Sequence, residues 1–183
     1  MSVLQKSQYG TVWRHLNFLG VMKPTNSREI ADATEAAAAA RKTLDEGTDG
    51  IKMYTSSSTA SISVDAIQAA VNEAHRVGKP VFVHSNNAAD ALASIRGGAD
   101  VVVHTTPRSQ WETILTAMKE RRVALNPTLH VFKYHARHDR ISAQDQIVNT
   151  TAGQLRAWVA AGGTVVSEPM LGPSMLSLPR STP

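Results

Sequence analysis

The chain has 183 residues, of which 42% are hydrophobic and 19% are charged, an ordinary composition for a globular domain. Its net charge is +4, but the basic residues are scattered, which argues against a nucleic-acid-binding stripe. No cysteine is present, so disulfides and thiolate metal sites are excluded. No apolar run approaches the ~20 residues of a membrane span. The first residues lack the apolar core of a signal peptide, and a cytoplasmic location is the default expectation.

The first 50 residues predict a strand followed by a helix. The strand covers residues 15–19. Asn26 or Ser27 is placed to cap the helix, with Glu29 in its first turn and Gly47 beyond its end. Low complexity is the alternative for the alanine run, but one stripe has the spacing of a buried face: Ile30, Ala33, Ala37, Ala40 and Leu44.

A short strand at residues 49–54 and a second helix follow. Lys52 lies in the middle of this strand, on the same face as Tyr54. Taken alone, such a lysine is better explained as a side chain that reaches the surface. Ser63 then caps a helix whose apolar positions recur at helical spacing, namely Val64, Ile67, Ala70, Val71 and Ala74.

Residues 79–106 predict a strand, a helix and a second strand, and each strand ends in a histidine. Alternation places His84 on the same face as Phe82, and His104 on the same face as Val102. A unit of this length normally makes two neighbouring parallel strands. Both histidines are therefore expected at the carboxyl ends of adjacent strands, where α/β folds keep their active sites.

The rest of the chain continues the alternation of helices and strands. It predicts a helix over 111–121, a strand over 123–129, a helix over 147–161 and a last strand over 164–166. The pattern as a whole predicts an α/β fold, with a parallel sheet and helices outside it. Ionisable groups at successive strand ends suggest part of a (β/α)₈ barrel, and a complete barrel needs about 250 residues.

Four segments of this chain resemble a known family in both letters and spacing. They are GIKMYTSS, AAVNEAHRVGKPVFVHSNN, GGADVVVHTTP and ALNPTLHVF. The resemblance is to the imidazolonepropionase-like branch of the amidohydrolase superfamily, over residues 16–166. It implies a partial TIM barrel of the metal-dependent hydrolase type, covering roughly the third to eighth strands, within a domain at 1–166.

The resemblance also implies a metal site and a reaction. Lys52, which can be carboxylated in this family, would bind one or two divalent metal ions such as zinc together with His84 and His104. The implied reaction is hydrolysis of a C–N bond of a small-molecule substrate by metal-activated water. Tyr54, His130 and Tyr134 are the candidates for substrate-lining positions.

Two family motifs are absent from the chain. No His-x-His pair occurs, and residues 166–172 read VSEPMLG where the family has Gly-Thr-Asp-x-Gly. Glu168 is a weak substitute for the aspartate that acts as general base. A shift of one base can encode Phe-Gly-Thr-Asp-Val-Gly from codons for the same residues, so we expect a frameshift there, which the nucleotide sequence would decide. Residues 167–183 are accordingly interpreted as an aberrant, disordered tail.

Two functions remain open at this stage. The first is a fragment of a metal-dependent amidohydrolase that is impaired, and inactive by itself, because two motifs are missing. The second is a non-catalytic α/β domain that acts only by association. In either case we expect no nucleic acid or membrane partner, and self-association through unpaired sheet edges.

Overall fold

The computed structural model describes residues 2–6, 27–55, 62–85, 87–105, 110–129 and 144–166. The described strands are β1 (Ser2–Lys6), β2 (Ser27–Ile30), β3 (Ile51–Tyr54), β4 (Val81–His84), β5 (Val101–Val103) and β6 (Ala124–Asn126). The described helices are α1 (Ala33–Asp45), α2 (Val64–Arg76), α3 (Ala88–Arg96), α4 (Trp111–Arg121) and α5 (Gln144–Ala160). From β2 onward a helix follows each strand, and from β3 onward this alternation is the one that the sequence predicts.

All six strands pair in parallel in one sheet, in the order β2-β1-β3-β4-β5-β6. Leu125 also forms a parallel bridge with Val165, which is all that the structure shows of the predicted last strand. Across the described strands the sheet does not close into a barrel. The α/β class is therefore confirmed, and self-association through open edges stays a prediction.

The two faces of the sheet have different surroundings. Ile51, Met53, Val81 and Val83 are buried in a cluster with the apolar residues of α1 and α2. Val102 and Leu125 are buried with residues of α3, α4 and α5. The opposite face, which we call the inner face, carries Phe82, Val101, Val103 and Ala124. Successive residues of a strand thus alternate between the helices and the inner face.

The beginning of α1 differs from the prediction. Asp32 caps this helix, because its Oδ1 accepts the backbone N–H of Glu35 at 2.9 Å. Glu35 Oε2 in turn accepts the N–H of Ala31, one residue before the cap, at 2.8 Å, an arrangement similar to a capping box. Neither Asn26 nor Ser27 is the cap, since Ser27 begins β2.

The buried stripe of α1 shifts with its beginning. Its buried residues are Ala36, Ala40 and Thr43, whereas Ala33, Ala37 and Leu44 are only half-buried. Ile30 is buried as a strand residue. The sequence prediction was wrong here because pairing of β2 with β1, a contact between distant residues, removes the first turn that local spacing suggested.

The prediction for α2 is confirmed in its cap and its buried face. Ser63 Oγ accepts the N–H of Ala66 at 3.2 Å. Of the predicted stripe, only Val64 is half-buried instead of buried. The buried residues of α2 lie at helical spacing and are Ala66, Ile67, Ala70, Val71 and Ala74.

Across the described helices, none combines the length and the apolar character needed to cross a bilayer.

Several sequence predictions fall outside the described residues. These are the strand at 15–19, the tail at 167–183 and the candidate site residues His130, Tyr134 and Glu168. The strand β1, by contrast, was not predicted at all, because the first 24 residues carry little hydrophobic pattern.

Candidate functional site

His84 lies where its strand alternation predicts. Phe82 and His84 point to the inner face of β4, while Val81 and Val83 are buried against the helices. His84 is also paired in register with Tyr54 at the end of β3. The imidazole therefore lies at the carboxyl end of the sheet, on the face that the helices do not cover.

His104 reaches the same face by a backbone turn that the sequence did not indicate. Val102 packs against the helices, so strict alternation would send the His104 side chain there as well. Instead, His104 adopts a φ of 76°, in the left-handed region, and its side chain turns toward His84. Nε2 of His104 lies 2.6 Å from Nδ1 of His84. The prediction that His104 shares a face with Val102 was wrong, although the pairing of the two histidines holds.

Thr128 holds the other side of the His104 ring. Its Oγ1 is hydrogen-bonded to Nδ1 of His104. Thr128 itself has a φ of 44°, which is uncommon for a β-branched residue. Left-handed conformations of this kind cost about 1–3 kcal/mol each and persist where the surroundings impose them. Two such residues, His104 and Thr128, are in contact at adjacent strand ends. At this site the positions of the side chains are therefore maintained at the expense of backbone strain.

Tyr54 fixes the orientation of His84 by stacking. The two ring centroids are 3.9 Å apart and the planes differ by 17°. The rings of His84 and His104 meet nearly edge to face, with centroids 4.2 Å apart and an angle of 80°. Both imidazoles are thus held by aromatic or hydroxyl neighbours, which limits the directions in which their lone pairs can point.

The surroundings of His104 favour its neutral form. Burial, and after it the nearby His84 and the positive charge of Lys52, together lower the pKa of His104 to about 3. Lys52 is half-buried and lies two residues before Tyr54, on the inner face of β3. At neutral pH the His104 ring therefore keeps a nitrogen lone pair, which is what a metal ligand requires.

The described residues fit part of a metal site. Zinc bonds imidazole nitrogen at about 2.0–2.1 Å, so two nitrogens on one tetrahedral ion lie about 3.3 Å apart. The 2.6 Å contact between His84 and His104 would need to widen by about 0.7 Å. The described part of the chain holds no group of three His, Cys, Asp or Glu side chains suited to a metal. Lys52 is the remaining candidate, and it becomes a ligand only if it is deprotonated or carboxylated.

The structure brings together four of the residues chosen from the sequence, namely Lys52, Tyr54, His84 and His104. Two further residues of this region were missed, Asn126 and Thr128. The segment ALNPTL contained the relevant pattern, since a proline directly after a buried strand marks the strand end where such residues collect. Their contacts with His104, however, depend on backbone turns that a single sequence does not show.

No protein-family model matches this chain, and no curated protein matches it in sequence. Solved structures do match. The ochratoxinase of A. niger superposes with a TM-score of 0.71 and 19% identity over 91% of this chain and 44% of that chain. An amidohydrolase superposes with a TM-score of 0.66 and 22% identity over 80% of this chain and 39% of that chain. A Xaa-Pro dipeptidase with bound methionine superposes with a TM-score of 0.64 and 20% identity over 76% of this chain and 38% of that chain.

These neighbours are structures of the amidohydrolase superfamily, and their names describe hydrolases. At such low identity the likeness establishes the fold alone, an α/β fold similar to part of each of these structures. The chain spans about two-fifths of the length of each of the three.

Proposed function

We propose that this chain carries part of the active site of a metal-dependent hydrolase of the imidazolonepropionase-like branch, acting on a C–N bond. The observation that carries the proposal is the contact between His104 Nε2 and His84 Nδ1 at the carboxyl ends of neighbouring parallel strands. Two imidazoles that converge in this way, on the face where α/β barrels place their chemistry, are suited to share a divalent cation.

The residues of the chain would have separate roles in this site. His84 and His104 would provide nitrogen ligands, and Lys52 would provide carboxylate oxygen if its amine were carboxylated by carbon dioxide. Thr128 and Tyr54 orient the two rings through the hydrogen bond to Nδ1 and the stacked contact. A divalent metal bound there would lower the pKa of its water and polarise the carbonyl group of the substrate. Glu168 remains a weak candidate for the general base.

The choice of a C–N bond rests on the neighbours. One is named for ochratoxin, one for Xaa-Pro dipeptides and a further one, at a TM-score of 0.63, for phenylurea. The rival function, a non-catalytic domain that acts by association, is favoured by the incomplete ligand set of the described residues. A metal-binding measurement separates the two, because only the first requires the inner face to bind a cation.

Calorimetric titration with zinc tests this proposal and the role of Lys52. We expect saturable binding by the unmodified chain, with an affinity that rises when bicarbonate is added. The replacement Lys52→Met should remove the bicarbonate effect, since a thioether cannot form a carbamate. Lys79→Met is the matched control, because Lys79 pairs with Asp49 at 3.6 Å, outside the inner face. Absence of zinc binding in the unmodified chain would overturn the proposal, and an unchanged bicarbonate effect would remove Lys52 from the ligand set.

The contact of Thr128 with His104 leads to a second prediction. Thr128→Val keeps the β-branched shape but removes the hydroxyl group that orients the ring. Loss of such an outer partner typically lowers metal affinity about 10–100-fold, and we expect the zinc affinity to fall within that range. Thr116→Val is the control, since Thr116 is exposed on α4 and hydrogen-bonds only to its own helix in the described contacts. Equal affinities of the two variants would show that Thr128 does not position His104.

A further inference from the structure

Asn126 has a buried side-chain donor with no acceptor among the described residues. The residue is only 2% exposed, at the carboxyl end of β6. Its Nδ2 has no hydrogen-bond partner in the described structure. Buried polar groups are nearly always paired, so an unpaired one needs an explanation. Its backbone is well used, because Asn126 O accepts the N–H of His104 at 2.8 Å.

The strand pattern shows where this donor lies. Leu125 is buried against the helices, while Ala124 belongs to the inner-face cluster. Asn126 is two residues beyond Ala124 and therefore shares the inner face. In register it is opposite Val103, which is opposite His84. Asn126 and His84 are thus two strands apart in one row, about 9.5 Å between backbones, with β5 between them.

We propose that Asn126 is a ligand-binding residue of this site, whose side-chain N–H donates to an sp² oxygen of a small molecule lying across β5 beside the two histidines. The oxygen belongs either to a neutral amide carbonyl or to a carboxylate, since both accept a hydrogen bond from an amide N–H. The inference rests on the proposed function for the identity of the site. It adds an anchoring point for the ligand that neither histidine supplies.

The alternative is that Asn126 has a structural role. The ligand-binding role and the structural role predict different effects of replacing Asn126 on the free energy of unfolding. A structural asparagine is paired, and its loss leaves a partner unsatisfied. An unpaired buried donor only weakens the fold, so Asn126→Leu, which has a similar size, should be as stable as the unmodified chain or more stable. Binding and stability should therefore respond in opposite directions.

The experiment uses the ¹⁵N-labelled full chain, with a chelator present to remove metal. Acetamide and acetate are titrated separately while the side-chain NH₂ resonance of Asn126 is followed. We expect a saturable shift with at least one probe, and that probe identifies the oxygen. Asn126→Leu should weaken acetamide binding about three- to tenfold, or acetate binding more than about tenfold, as expected for neutral and charged acceptors. Asn72→Leu, on the exposed side of α2, should leave both affinities unchanged.

Several results would overturn the inference. They are no shift with either probe, unchanged affinity in Asn126→Leu, or a loss of stability in both Asn126→Leu and Asn126→Asp. A zinc titration keeps this inference separate from the proposed function. If the chain binds zinc but responds to neither probe, the ligand-binding role of Asn126 is contradicted and the proposed metal site is not. If the chain does not bind zinc but responds to a probe through Asn126, the proposed metal site is contradicted and the ligand-binding role of Asn126 is not.

Discussion

Replacing both His84 and His104 with alanine is expected to abolish saturable zinc binding. Nε2 of His104 lies 2.6 Å from Nδ1 of His84, so each histidine supplies one imidazole nitrogen to the proposed site. Methyl groups in their place provide no lone pair, and a lone lysine does not ligate without carboxylation. Each single replacement should already remove most of the affinity, since one nitrogen cannot form a chelate. Calorimetry without added bicarbonate gives the direct measurement.

A matched control for the histidine pair is His75→Ala. His75 is exposed, and its Nε2 contacts Asp100 at 2.9 Å. Asp100 also accepts the N–H of Val81 at the beginning of β4, which places this pair at the amino ends of the strands. His75→Ala should therefore keep the zinc affinity. If zinc binding instead survives in the double variant and disappears in His75→Ala, the inner face is not the metal site, and the non-catalytic function becomes the better explanation.

The parts of the fold that the sequence predicted well are those determined by neighbouring residues. In α2, the cap Ser63 and the buried stripe lie within one helical pattern, and the structure reproduces both. The alternation that places Phe82 and His84 on one face is equally local. The beginning of α1 was misplaced because β2 forms through pairing with β1, a contact that local spacing cannot report.

The candidate site was only partly predictable for a related reason. Alternation gave the correct face for Lys52, Tyr54 and His84, but it gave the wrong one for His104. The left-handed conformation is uncommon outside glycine and is costly for a β-branched residue such as Thr128, so the sequence gives little reason to expect it at either position. It forms at both because the two side chains hydrogen-bond to each other across adjacent strand ends. Asn126 was missed because its importance lies in an unpaired atom, which only coordinates can reveal.

The helical side of β6 depends on one aromatic residue. Trp158 of α5 is 2% exposed and belongs to the cluster that contains Ile114, Met118 and Leu125. Its Nε1 donates to the carbonyl oxygen of Thr164 at 2.9 Å. Thr164 O also accepts the N–H of Leu125 at 3.0 Å. The indole therefore connects α5, the segment after it and β6, which carries Asn126 into the site.

Gly163 packs directly against this indole, and Gly163→Ala is expected to destabilise the fold strongly. A Cβ at this position would overlap the Cδ2 and Cε2 atoms of Trp158. Because the ring is buried, it must leave its place or push the backbone away. Overpacking of this kind costs about 1–3 kcal/mol, and complete expulsion of the ring would approach the about 3–5 kcal/mol of a Trp→Ala change. The free energy of unfolding in urea gives the measurement.

Gly153→Ala, within α5, is the comparison, and it should shift the free energy of unfolding in the opposite direction. Around Gly153 the nearest atom to an added Cβ is Arg156 Nη2, at an ordinary contact distance of 3.9 Å. Alanine is favoured over glycine inside a helix by about 0.8–1.0 kcal/mol, so this variant should be more stable than the unmodified chain. Opposite signs for one chemical change, ten residues apart, would identify contact with Trp158 as the cause. If Gly163→Ala is as stable as Gly153→Ala, the indole does not occupy the space beside Gly163, and the connection between α5 and β6 is different from the one described.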